Sequence, residues 1–192
     1  MGLSASDVTP PGGVPLAGFG GGARRLGFDI LNRYPYATFL APSEGVLDPI
    51  RAKVMVLKQG KKNLVFISVD TVAVTAEIRK DFLERLEKNR GLGPDEVFIS
   101  ATHTHSGPGT LSRSLLWSLV AADAFQQKIY DQFLNDVVRG VDRAFASLEP
   151  VDLLAFEFKT SEIQKNRRGK KGHFDPLTNV LLAKNKKGHW LG

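Results

Sequence analysis

Ile129, Phe133, Val137, Val141 and Phe145 stand at every fourth position, and a chain carrying such a stripe has to bury it against another apolar surface. The segment reads as a helix from Ala124 to Ser147, closed by Pro150. Its natural counterpart is a sheet, and the residues after Arg51 supply the strands. Ala52–Leu57 and Leu64–Val69 are β-rich runs joined through Gln59-Gly60-Lys61-Lys62, the pattern of a hairpin with a glycine-containing turn. Glu77–Asn89 places Ile78, Phe82, Leu83 and Leu86 on one helical face and is followed by the stop residue Gly91. Glu96–Ala101 alternates as a further strand. Strands mixed with helices in this order predict an α/β fold, a mixed sheet flanked by helices.

The ends of the chain read differently. A short strand is expected at Leu3–Val8, followed by a long loop rich in glycine and proline, including Thr9-Pro10-Pro11-Gly12-Gly13 and Gly18-Phe19-Gly20-Gly21-Gly22. Such a loop permits close backbone approach. Val151–Phe158 and Leu177–Ala183 are strand-like, and the turn Asn185-Lys186-Lys187-Gly188 leads into a returning arm at His189–Gly192. An arm that has only begun leaves an open edge, so the sheet is expected to be completed by polypeptide beyond residue 192.

At 192 residues, 42% hydrophobic and 24% charged, the chain is expected to be one globular domain, and disordered, collagen-like and coiled-coil readings are excluded. No apolar run approaches the roughly 20 residues of a membrane-spanning helix. The absence of cysteine removes disulfide scaffolds, Cys-ligated zinc modules and thiol nucleophiles, so a metal would need His, carboxylate or Tyr donors. Met1–Pro15 lacks the basic start and apolar stretch of a secretory leader. The net charge of +6 is local: Lys165–Gly192 carries +7 and the preceding 164 residues −1. Two basic loops of this kind are either solvated surface or an attraction for anionic partners.

The chemistry concentrates in Ala101-Thr102-His103-Thr104-His105-Ser106-Gly107-Pro108-Gly109. The two histidines follow a predicted strand directly, and ligands of α/β sheets bind beyond the carboxyl ends of strands. In an extended chain, residues two apart point to one side, so both imidazoles are expected to face one site. They could supply two metal donors, or one donor and one acid–base group. Asp70, ending an apolar strand, would either support His103 through a hydrogen bond or cap a turn. Ser106 lacks a base to activate it and reads as a turn residue. His173 and His189 lie in basic loops and are given no metal role.

This nine-residue block resembles the signature of the neutral ceramidases, the neutral/alkaline non-lysosomal family. Asp7-Val8-Thr9-Pro10-Pro11, Leu16-Ala17-Gly18-Phe19-Gly20, Arg51-Ala52-Lys53-Val54, Val69-Asp70, Asn166-Arg167 and Asp175-Pro176-Leu177 agree in order and spacing. The resemblance implies that residues 1–192 are the amino-terminal portion of a ceramidase-like catalytic domain, with no second domain in the chain. It also implies one Zn2+ ion with His103 as a ligand, His105 contacting substrate and stabilising the transition state, and Arg167 lining the substrate pocket.

The function expected is zinc-dependent hydrolysis of the amide of ceramide or a related N-acyl lipid. Family members act outside the cytoplasm, and association with a membrane surface is expected from the basic loops. Because the family's other ligands, a second His, a Glu and a Tyr, lie further along, this stretch alone is expected to bind metal poorly and to be inactive. The remainder of the catalytic domain is therefore an expected partner, as a continuation or a second chain. The alternative is a non-catalytic module that uses its basic loops on anionic lipid or nucleic acid. Of these, nucleic acid is disfavoured, because only Phe174 and Trp190 are interleaved with the basic residues.

Overall fold

The computed structural model describes every residue except 19, 22–23, 26–33, 163–165, 167, 170–171 and 192. The chain divides into two compact units, Gly2–Leu148 and Glu149–Gly192 with Met1.

The larger unit is a four-stranded mixed sheet in the order β1-β2-β3-β4, with β1 Gly2–Asp7, β2 Arg51–Gln59, β3 Lys62–Val69 and β4 Val97–Ala101. The first three strands pair antiparallel and β4 joins β3 in parallel. A parallel neighbour requires a crossover, which α1 (Ala76–Arg90) provides. Thr75 caps it by accepting a hydrogen bond from the Ile78 amide at 3.2 Å, and it stops at Gly91. The helix, both arms of the hairpin and the strand before the histidines all stand where the sequence placed them. The expected α/β class with a mixed sheet is the class observed.

One helix was not legible. Residues Leu115–Val120 form α2, too short and too uniformly apolar to carry a helical period. The long helix α3 spans Gln127–Ala146, three residues shorter at its start than expected. The reason is Asp123, whose buried carboxylate accepts from the amides of Thr38, Phe39, Leu40 and Ala124 and so holds the chain in a loop.

Ile129, Phe133, Val137 and Val141 of α3 are buried with Ile78, Phe82 and Leu86 of α1 against Val54, Val56, Val65, Ile67 and Val97 of the sheet. Each such side chain contributes roughly 1.5–3 kcal/mol when fully buried. Gly140 lets α3 approach β1 and β2, since a Cβ there would stand 2.8 Å from Ser6 Oγ.

The smaller unit is an antiparallel hairpin of β5 (Val151–Lys159) and β6 (Leu177–Asn185). The expected returning arm is present as a bridge between Lys184 and Trp190. Among the described residues, no helix is long and apolar enough to cross a membrane.

Candidate active site

β3 and β4 run parallel, so their carboxyl ends lie side by side. The pairing continues past β4, where the amides of Thr102 and His103 donate to the carbonyls of Val69 and Thr71 at 3.0 and 3.1 Å. The chain then turns. His103 has a φ of 62°, the only positive value of a non-glycine residue among those described. This corrects the sequence expectation in its premise: the histidines are not successive same-side residues of an extended strand. A left-handed residue reverses the chain, and the rings meet edge to face with centroids 5.1 Å apart at 81°. A side chain in this region carries roughly 1–3 kcal/mol of strain, and such strain gathers at functional sites.

His103 is exposed, but its ring is fixed: Nδ1–H donates to the carbonyl of Val72 at 2.7 Å. A carbonyl only accepts, so the proton resides on Nδ1 and, in the neutral ring, the lone pair resides on Nε2. Histidines that bind metals are commonly oriented in this way, with the second nitrogen donating to a carbonyl or carboxylate. Neither alternative for Asp70 is observed: its carboxylate accepts from the Arg51 amide at 2.9 Å, across the sheet at the start of β2, and the carbonyl two residues after Asp70 takes the position at His103. Ser106 is a turn residue, its amide donating to Thr104 Oγ1.

The glycine-rich amino-terminal loop forms the wall behind His105. The Ala17 amide donates to the Gly107 carbonyl at 2.9 Å, the Gly109 amide to the Pro15 carbonyl at 2.7 Å and the Gly18 amide to the Ala121 carbonyl at 2.6 Å. Gly18 has a φ of 107°, and a Cβ on it would stand 2.2 Å from His105 Nδ1. The composition of this loop had signalled a close approach, but to what was not legible. The Val72 carbonyl had no signal at all, because backbone acceptors have no residue type. The lone charge of Asp123 in the apolar run from Ala121 to Phe125 was a readable sign of a buried structural carboxylate.

Beyond the motif, Arg113 ties the segment to both helices. It pairs with Asp81 of α1 at 3.1 Å and lies over the ring of Tyr130 of α3, whose hydroxyl donates to Asp81 at 2.8 Å. Burial alone would raise the Asp81 carboxyl, but the hydrogen bonds from Tyr130 and Arg113 outweigh it and hold it below its ordinary value. Burial, then the hydrogen bond to Asp81, pushes the Tyr130 phenol up to about 12.

Arg167, the expected substrate-pocket residue, lies outside the described residues. Among the described residues, no group of three or more His, Cys, Asp or Glu side chains is gathered as a metal cluster. His103 fits a metal as a single donor, and a complete shell needs further donors.

A mixed α/β sheet with a paired-imidazole turn at the carboxyl end of a parallel strand pair is thus the class of structure in hand. Residues 31–174, three quarters of the chain, match the profile of the neutral/alkaline non-lysosomal ceramidase family, N-terminal part, and the chain belongs to that family. It is 31% identical over 108 residues to the neutral ceramidase of Pseudomonas aeruginosa, covering 55% of this chain and 16% of that protein. Neutral ceramidase 3 of Arabidopsis thaliana is 26% identical over 157 residues, 80% of this chain and 19% of the relative. The chain thus spans less than a fifth of the length of these relatives. Among solved structures, a ceramidase complexed with C2 superposes with a TM-score of 0.75 at 23% identity, covering 98% of this chain and 29% of that one. The crystal structure of the Pseudomonas aeruginosa neutral ceramidase gives 0.70 at 24%, covering 98% and 30%. These two likenesses establish the fold.

Proposed function

We propose that the chain carries the paired-histidine edge of a zinc-dependent amidohydrolase site that cleaves the amide of ceramide or a related N-acyl lipid, with the remaining metal donors supplied by polypeptide outside these residues. The observation that carries the reading is the hydrogen bond from His103 Nδ1–H to the Val72 carbonyl, which leaves Nε2 as the donor nitrogen. Family membership and the names of the relatives supply the substrate class.

Hydrolysis adds water across the amide: a C–O bond forms, the C–N bond breaks, and a proton passes to the departing amine. Zinc, when bound, would supply Lewis acidity and lower the pKa of its water to about 7. His103 would be one of its ligands. His105, edge-on to it and braced by Gly18, donates to the carbonyl oxygen as negative charge develops there. Arg167 holds the substrate. The strained turn at His103 keeps the two imidazoles at different depths, one exposed and one half-buried, which suits one to a shared ion and the other to the substrate.

The test joins this chain to the part of the Pseudomonas aeruginosa neutral ceramidase that follows the aligned region, and measures zinc by elemental analysis and fatty acid released from ceramide. His103→Ala is expected to lose both zinc and activity. His105→Ala is expected to keep zinc and lose about 100-fold or more in rate. Undiminished zinc in His103→Ala would sink the assignment.

A further inference from the structure

The helices cover one face of the β1–β4 sheet, and the other face carries an apolar band as well. Leu3, Met55, Phe66 and Phe98 pair in register across all four strands, one residue from each, and form a continuous row. The Phe66 and Phe98 rings stack with centroids 5.7 Å apart. Leu57 and Leu64 extend the row on one side, and Ala5, Lys53, Ser68 and Ser100 form the next row on the other. Phe98 is 67% exposed, and the two four-residue rows line an open groove of about 650 Å³. A sheet face made for water alternates to polar residues, whereas an apolar row spanning every strand belongs to an interior layer.

We infer that this face is the docking surface for the polypeptide that follows the amino-terminal portion in ceramidases, continuous with this chain or separate from it. Two observations select that occupant. The chain matches an amino-terminal family region, and about seven tenths of the chain of a solved ceramidase lies outside the superposed part. In addition, the β5–β6 hairpin is apolar on both faces, with Leu154, Phe156 and Phe158 exposed on one and Leu153 and Leu181 on the other. A bilayer covers one side of a ribbon, whereas a ribbon apolar on both sides needs protein layers around it. The inference rests on family membership and does not depend on the zinc chemistry proposed above.

Met55, one of two methionines, reports on the face through peroxide oxidation read by peptide mass spectrometry. The comparison is between the 192-residue chain and the joined protein described above. Met55 is expected to oxidise about tenfold more slowly in the joined protein. Phe98→Asp is expected to leave the melting midpoint of the short chain within about 2 °C and to lower that of the joined protein by about 5 °C or more.

A cooperatively melting joined protein with Met55 as reactive as in the short chain overturns the inference. So does a large loss of stability from Phe98→Asp in the short chain itself, which would mean the face is already packed there. If the joined protein does not melt cooperatively, the ceramidase remainder is added in trans, and unchanged Met55 reactivity overturns the inference equally. Protection that grows with short-chain concentration or on adding phosphatidylcholine vesicles also overturns it, in favour of a second copy or a lipid surface.

Discussion

Gly18→Ala tests whether the amino-terminal loop positions His105 or merely lies beside it. The added Cβ would stand 2.2 Å from Nδ1, 2.4 Å from Cγ and 2.9 Å from Cβ of His105. The nearest atoms therefore include the root of the side chain, so rotation of a flexible tip cannot relieve the contact. To restore an ordinary 3.4 Å contact the ring nitrogen has to retreat by about 1.2 Å, the scale of displacement that costs roughly 100-fold in rate when it falls on a catalytic group. The backbone adds its own penalty, because a φ of 107° strains any L side chain by roughly 1–3 kcal/mol. Urea unfolding of the short chain is expected to show a loss of about 2 kcal/mol or more, and the His105 imidazole signals in long-range 1H–15N spectra are expected to move. Gly21→Ala is the control, since a Cβ there meets nothing within 4 Å and its effect is expected to stay within about 0.5 kcal/mol. If Gly18→Ala perturbs stability and the His105 signals no more than Gly21→Ala does, the loop does not position the histidine.

Asp123→Ala removes a buried carboxylate that accepts from four backbone amides; leaving the Thr38, Phe39 and Leu40 donors without it is expected to cost at least about 3 kcal/mol in urea unfolding. Tyr130 has its pKa raised to about 12 from an ordinary 10.0, so the folded state holds this proton more tightly than the unfolded state. Its contribution to stability, on the order of 2–3 kcal/mol, is complete below pH 10, declines between 10 and 12 and is lost above that. Tyr130→Phe is expected to abolish that difference, and parallel stability curves of the two proteins from pH 9 to about 12 would contradict it. Asp81 has the opposite sign: its depressed pKa stabilises above the ordinary carboxylate value, and this is lost as pH falls through the folded value, an acid limb that Asp81→Asn is expected to remove.

The elements that were legible are those whose residues announce their own periodicity. The α3 stripe, the hairpin alternation and the Ile78–Leu86 face each bury what their spacing said they would bury. Local signals failed where a distant group decided the local conformation. Residues 124–126 could extend α3 by propensity, yet the carboxylate of Asp123 is engaged some 83 to 85 positions back along the chain, and the Gln126 amide donates to the Thr110 carbonyl. α2 escaped notice because six nearly uniform apolar residues have no face to reveal.

The histidine pair was found by its spacing, but the geometric argument attached to it used the wrong backbone state. A strand would have delivered both rings to one side by alternation alone, and at any such pair the two would be equivalent. The left-handed turn at His103 makes them inequivalent: one ring is exposed, with its Nδ1 proton held by the Val72 carbonyl, while the other is half-buried against Gly18. Inequivalence is what a division of labour between metal ligand and substrate contact requires. It depends on a φ value and on a backbone carbonyl 31 residues away, neither of which a residue type encodes. His103→Gly would relax the turn while deleting the ring, whereas His103→Asn keeps a polar side chain that tolerates the left-handed region. His103→Asn is therefore the substitution expected to keep the fold of the loop, with His105 still braced by Gly18, and to isolate the loss of the imidazole from the loss of the turn.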